Sequence, residues 1–238
     1  MKTKPKRLPY ELIAFDADDT LWVNEPLYHR SQDTLEEILT DYLESRELRR
    51  VLYRREIENL KIFGYGVKGF TLSMIETAVE LTEGKVRGED IQRIIDVGKA
   101  LLRSPVTLLE GVVETLQALQ GHARLIIITK GDLFDQESKI ARSGLADYFE
   151  ECEIVSDKSP ETYARLMRKH KVDPDKFLMV GNSPKSDILP VCELGAATVW
   201  IPAQATWEHE DADETVMNAS GCLRLASMRE LIPALNQD

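Results

Sequence analysis

Five short apolar runs punctuate the chain, at residues 10–15, 124–129, 153–155, 177–180 and 197–201. They are rich in β-branched or aromatic residues and most of them stop at a turn or a polar cluster, which is the pattern of fully buried strands. Between them, residues 111–120, 136–144, 160–170 and 187–194 place apolar positions at helical spacing, in lengths suited to right-handed crossovers. The alternation predicts a doubly wound, Rossmann-like parallel α/β sheet.

The first crossover breaks the pattern. Residues 16–123 separate the first two runs, whereas a simple crossover needs about 12–20 residues. No strand reads convincingly inside this insertion. Four stretches of helical character do, at 32–43, 48–62, 72–81 and 90–102, with Gly64, Gly66, Gly69, Gly84 and Gly88 as breakers between them. The expectation is an α/β core of residues 1–23 and 106–238, with a four-helix domain over 24–105. One loop of that domain, Gly64-Tyr65-Gly66-Val67-Lys68-Gly69, matches the dinucleotide pattern G-x-G-x-x-G. It follows a charged helical stretch instead of a strand, so it reads as a flexible interhelical loop. Its aromatic and its cation, Tyr65 and Lys68, suit contact with an anionic organic ligand.

Composition narrows the partners. With 238 residues and 43% hydrophobic content the chain can bury a substantial core, and a net charge of −11 argues against a nucleic-acid polymer as partner. A local basic pocket for a small anion stays compatible with that charge. Cys152, Cys192 and Cys222 are odd in number and widely spaced, which indicates reduced thiols and neither a disulfide framework nor a zinc site. The basic start runs into an apolar segment that breaks at Asp16, too short for a secretion signal, and no later stretch has the length of a membrane span. A cytoplasmic protein with no membrane partner is expected. The acidic run 208–214 reads as a solvated loop or a helix start.

The chemistry gathers where the strands end, which is where parallel α/β sheets bind ligands. The first run empties into Phe15-Asp16-Ala17-Asp18-Asp19-Thr20-Leu21-Trp22. Three carboxylates in four positions resist burial and call for a cation, a ligand or solvent. Asp16 and Asp18, two residues apart at a strand end, project to one side, while Asp19 points elsewhere and suits a helix cap. A hard divalent cation such as magnesium would explain the convergence, since it takes one or two protein carboxylates and leaves room for a substrate phosphate. Asn182 and Asp187 offer further oxygens. Thr129, with the backbone amides of Lys130 and Gly131, can donate to phosphate oxygens, and Lys158 adds a positive charge. These are the parts needed for phosphoryl transfer through a carboxylate nucleophile. Trp22 reads as packing beside the acidic cluster and Trp200 as core.

Asp16-Ala17-Asp18-Asp19-Thr20 resembles the D-x-D-x-T first motif of the haloacid dehalogenase superfamily. Thr129 resembles its second-motif hydroxyl, Lys158 its third-motif lysine, and Gly181-Asn182-Ser183 through Asp187 its fourth motif. The four occur in the family's order, and the helical insertion after the first motif resembles its C1 cap. The resemblance implies that Asp16 attacks the substrate phosphorus, and that Asp18 protonates the leaving alcohol and then activates water. It also implies that Asp16, the main-chain oxygen of Asp18 and the fourth motif hold magnesium, and that Thr129 and Lys158 orient and neutralise the phosphoryl group. Dehalogenases of the superfamily lack an aspartate at the position of Asp18, so the resemblance favours a phosphate ester over a haloacid.

Two features depart from the family pattern. Asn182 stands where an aspartate is common, which weakens magnesium binding or passes the anionic role to Asp187. The third motif is one residue shorter between Lys158 and Pro160-Glu161-Thr162-Tyr163, which in strict register would put Asp157 at the lysine position. Lys158 is the choice, because a turn absorbs one residue and no other cation is near. The expectation is therefore a magnesium-dependent phosphatase of a small phosphorylated metabolite. A phosphotransferase or mutase, or a ligand-binding protein with weakened catalysis, are the alternatives.

Overall fold

The computed structural model of the chain describes residues 8–40, 42, 45–203, 205 and 207–236. The basic start, residues 1–7, lies outside the described residues. The chain divides into two compact units. One comprises Met1–Glu25, Val106–Lys130 and Lys139–Asp238, and the other Pro26–Pro105 and Gly131–Ser138.

The first unit is built on a parallel sheet of β1 (Leu12–Phe15), β2 (Arg124–Lys130), β3 (Glu151–Val155), β4 (Phe177–Gly181), β5 (Ala197–Trp200) and β6 (Leu223–Arg224). Their order is β3-β2-β1-β4-β5-β6, which puts the first strand of the chain in the interior. Period-two geometry sends alternate side chains to opposite faces. Ile13 and Phe15 of β1 join Leu125, Ile127, Leu178 and Val180 on one side, and Leu12 and Ala14 join Ile126, Ile128, Phe177 and Met179 on the other. Both faces are buried, which is why these strands read as unbroken apolar runs. The strand order reverses beside β1, so the crevice of the doubly wound sheet opens at its carboxyl end.

The helices of the insertion are α1 (Glu25–Leu39), α2 (Ser45–Phe63), α3 (Val67–Leu81) and α4 (Gly88–Arg103). They share a core of their own, including Leu35, Leu39, Leu52, Phe70, Met74 and Ile94. All four start earlier than periodicity predicts, most of all α1 and α3. α1 gains about two turns, and Pro26 sits in its first turn, where a proline costs no hydrogen bond. α3 takes in Gly69, which is therefore a helical residue and no breaker. A β-carbon there would stand 2.9 Å from the Gly64 carbonyl oxygen, so the turn closes only around a glycine.

The core continues through α5 (Val112–Leu119), α6 (Leu133–Ser143), α7 (Pro160–His170), α8 (Leu189–Glu193), α9 (Glu214–Ala219) and α10 (Leu231–Leu235). The last helix before β5 differs from expectation. Residues Pro184–Ile188 form a wider π-helical turn that precedes α8, so Asp187 lies inside a turn and does not begin a helix. β6, α9 and α10 carry too little periodicity to be predicted, and they follow β5 as short elements. The three cysteines are free and half-buried. Among the described residues no helix is long and apolar enough to cross a membrane.

Candidate active site

The chain leaves β1 as a tight turn. The Asp16 N–H still donates to Val180 O of β4 at 2.9 Å, and the Leu21 N–H closes onto Ala17 O at 2.8 Å. Asp16 is thus fixed at the carboxyl edge of the sheet and is 6% exposed. Asp19 takes a left-handed backbone, φ 60°, uncommon outside glycine but tolerated by aspartate. Its carboxylate accepts from the N–H groups of Asn24 and Glu25, each at 2.8 Å, and so caps the start of α1. Burial pushes the Asp19 carboxyl up to about 6, against the pull of those two N–H groups. Burial, with the charges of Asp19 and Asp18 adding to it, pushes Glu25 up to about 7.

Lys158 reaches this edge from the segment between β3 and α7. Its ammonium, almost wholly buried, is hydrogen-bonded to Asp16 Oδ1 and, at 2.6 Å, to Asp187 Oδ1. Asp157 is exposed, so the shortened third motif delivers its lysine and not its aspartate to the site. Ser159 caps α7 and Pro160 occupies its first turn, a start that fixes where the lysine leaves the helix axis. Burial and then the charge of Asp187 push the Asp16 carboxyl up, and Lys158 opposes them. Burial alone would lower Lys158, but Asp16 and Asp187 hold it well above the usual lysine range. Asp187 also accepts from the Ser183 N–H at 2.9 Å, so both its oxygens are engaged inside the protein.

Asn182 follows Gly181 and faces Asp16 Oδ2, Asp18 O and Thr20. With its nitrogen turned inward it donates to those three atoms at 3.2, 3.2 and 3.1 Å, and the Thr20 hydroxyl donates to Asp16 Oδ2 at 3.1 Å. With its oxygen turned inward, Asn182 Oδ1 would stand at the same spacing from Asp16 Oδ2 and from Asp18 O. Neighbouring ligands around magnesium, each about 2.1 Å from the ion, lie about 3 Å apart. The donor set therefore fits a magnesium ion with two protein oxygens from the first motif and a neutral third from Asn182. Asp187 is committed to Lys158 and Ser183.

The Asp18 side chain points to other partners. Oδ1 accepts from Trp22 Nε1 at 2.7 Å, and Lys139 Nζ of α6 lies 2.9 and 3.0 Å from its two oxygens. Trp22 is 1% exposed, so it packs as the sequence suggests and holds the Asp18 carboxylate as well. Thr129 ends buried near the close of β2, two residues beyond Ile127, which pairs with Phe15. Lys130 turns its ammonium to Ser186 Oγ at 2.7 Å and to Glu210. Glu210 also accepts from Ser183 and Ser186, each at 2.5 Å. The reading of 208–214 as a solvated loop fails at Glu210, whose side chain is 13% exposed. An acidic run gives no sign that one of its members turns inward to a lysine eighty residues away. Asp213 does cap α9.

Tyr65, Lys68 and Gly131 belong to the second unit. Tyr65 is half-buried in the turn between α2 and α3. The Lys68 ammonium sits 3.0 Å from both oxygens of Asp132, which also accepts from the Asp135 N–H at the start of α6. Gly131 adopts φ 146°, and a β-carbon on it would stand 2.9 Å from Gln136 Nε2.

Residues 10–190 match the family described as haloacid dehalogenase-like hydrolase. The pyrimidine 5′-nucleotidase YjjG of Escherichia coli (strain K12) is 25% identical over 206 residues, 82% of this chain and 88% of that protein. A glyceraldehyde 3-phosphate phosphatase of Pyrococcus abyssi (strain GE5 / Orsay) is 36% identical over 84 residues, 33% of this chain and 35% of that protein. Among solved structures, a haloacid dehalogenase-like family hydrolase from Xanthomonas campestris is 39% identical, with a TM-score of 0.83 over 98% of this chain and 95% of its own.

Proposed function

The chain belongs to the haloacid dehalogenase-like hydrolases, and we propose that it is a cytoplasmic, magnesium-dependent phosphatase that cleaves a small phosphorylated metabolite through a phosphoryl-Asp16 intermediate. The observation that carries this reading is the buried ammonium of Lys158 bonded to Asp16 and Asp187. It orients one oxygen of Asp16 and leaves a positive charge beside it where a phosphoryl group would need neutralising. The other oxygen faces Asn182 and Thr20.

In the proposed reaction Asp16 Oδ1 forms a bond to phosphorus as the ester oxygen departs and takes a proton from Asp18. Water then attacks phosphorus, gives its proton to Asp18, and releases phosphate with the Asp16 carboxylate restored. Lys158, the Thr129 hydroxyl and the amides of Lys130 and Gly131 hold the phosphoryl oxygens. Magnesium held by Asp16, Asp18 O and Asn182 would neutralise charge on the transferring group. The helical unit is the proposed cap that selects the substrate, with Tyr65 and Lys68 as its contacts. Relatives named for a pyrimidine nucleotide and for glyceraldehyde 3-phosphate support a small phosphorylated metabolite as the substrate class.

Phosphate release from p-nitrophenyl phosphate by wild type and Asp16→Asn, each with magnesium and with EDTA, tests the reading. Turnover is expected only from wild type with magnesium. Equal turnover by Asp16→Asn would remove Asp16 as nucleophile. No turnover from wild type on this ester or on a panel of phosphorylated metabolites would favour a binding protein with the same fold.

A further inference from the structure

We propose that Lys139, a residue of α6, positions the Asp18 carboxylate for proton transfer, a role that rests on the phosphatase reading above. Its ammonium lies 2.9 and 3.0 Å from the two oxygens of Asp18 and 3.0 Å from Asn24 Oδ1. The two side chains are 12% and 22% exposed, so solvent screens the pair less than it screens a surface ion pair.

A carboxylate turns freely about its terminal bond unless donors fix its plane. Here Trp22 Nε1 on Oδ1 and Lys139 across both oxygens do so from separate elements. The indole holds one oxygen, and the ammonium spans both. Asn24 ties the ammonium to the chain just beyond the catalytic turn. Geometry of this kind matters most for an acid that must meet a departing oxygen, because proton transfer needs hydrogen-bond distance and direction. Lys139 acts through Asp18.

A clamp that merely joins α6 to the turn would affect every substrate alike, whereas a positioner of the acid would not. Departure of p-nitrophenolate needs little protonation, and departure of an alkoxide needs it fully. The experiment compares kcat/KM, which reports steps up to leaving-group departure, for p-nitrophenyl phosphate and for an alkyl phosphate such as glycerol phosphate. Wild type, Lys139→Gln, Lys139→Arg and Asp18→Asn are measured side by side, with melting temperatures to establish folding.

Lys139→Gln is expected to lower kcat/KM for the alkyl ester by about 100-fold, the scale of general acid catalysis, and for the aryl ester at least tenfold less. Its leaving-group profile should run parallel to that of Asp18→Asn. Lys139→Arg should recover most of the alkyl activity, since a guanidinium also grips a carboxylate through two bonds. An equal fall on both esters, or no change on either, would overturn the positioning role while leaving the phosphatase reading intact. A wild type that hydrolyses neither these esters nor any of the panel of phosphorylated metabolites would instead remove the phosphatase reading, and this role with it.

Discussion

Asp187 lies against the Cα of Gly181: a β-carbon on that glycine would stand 2.4 Å from the Asp187 carboxyl carbon. The glycine is therefore required by what packs on it, and not by its own backbone angle. Gly181→Ala should push Asp187 aside and loosen its hold on Lys158. Overpacking of this size costs about 1–3 kcal/mol. We expect a lowered melting temperature together with a large loss of turnover, measured by calorimetry and by phosphate release. An alanine variant with wild-type activity would show that Asp187 is not needed where it stands.

Lys158 is the cation on which two buried carboxylates depend. Lys158→Met should leave Asp16 and Asp187 buried without an opposite charge, at a cost of about 3–5 kcal/mol. Turnover should fall by at least ~10²-fold, the scale seen when one transition-state donor is removed. Asp157→Asn, one residue away and exposed, should stay within about 0.5 kcal/mol of wild type. Denaturant unfolding of both variants reads the contrast directly.

Asn182 offers a neutral oxygen where an aspartate would offer an anion. Asn182→Asp should tighten magnesium binding by about tenfold, as expected for one more ligand charge at a hard-cation site. Without magnesium the same change sets an extra carboxylate about 3.2 Å from Asp16 Oδ2 and should lower the melting temperature. Calorimetric titration with magnesium and melts in EDTA test the two halves separately. A variant more stable than wild type in EDTA would count against the inward-facing amide.

Glu210 gives the fold an acid-sensitive element. Burial alone would raise its carboxyl, but the charge of Lys130 and hydrogen bonds from Lys130, Ser183 and Ser186 bring it down to about 2 from 4.5. Because the folded value is depressed, its stabilisation is fully present above pH 4.5 and is lost as the pH falls toward 2. Glu210→Gln should therefore melt below wild type at pH 7, and the gap should close across that acid window. A gap that persists unchanged to pH 2 would mean that the carboxylate charge is not what stabilises the loop.

Much of the site is legible in the sequence because a parallel sheet brings strand ends to one edge. Asp16, Thr129 and Asn182 are each found by asking where an apolar run stops. Lys158 needs one further step, the allowance that a turn absorbs a missing residue. Lys139 leaves no such trace: on α6 it looks like any solvent-facing lysine, and only the rotation of that helix about its axis brings it to Asp18. Trp22 announces its bulk but not its indole N–H. The early start of α1 is hidden because residues 25–31 are mostly polar, although its cap, Asp19, is legible as one.

The interior position of β1 sets the order in which this protein can become itself. Its neighbours β2 and β4 pair with it residue for residue, yet each is synthesised more than a hundred residues later. Asp16 therefore leaves the ribosome long before Lys158 or Asn182 exists, and only loop closures of that length can unite them, which places the sheet among slow-forming topologies. The contacts of α2, α3 and α4 are short in sequence and form quickly by comparison. The helical segment can thus form its contacts while the first strand still waits for a partner, and no fragment ending before residue 187 can hold the complete candidate site.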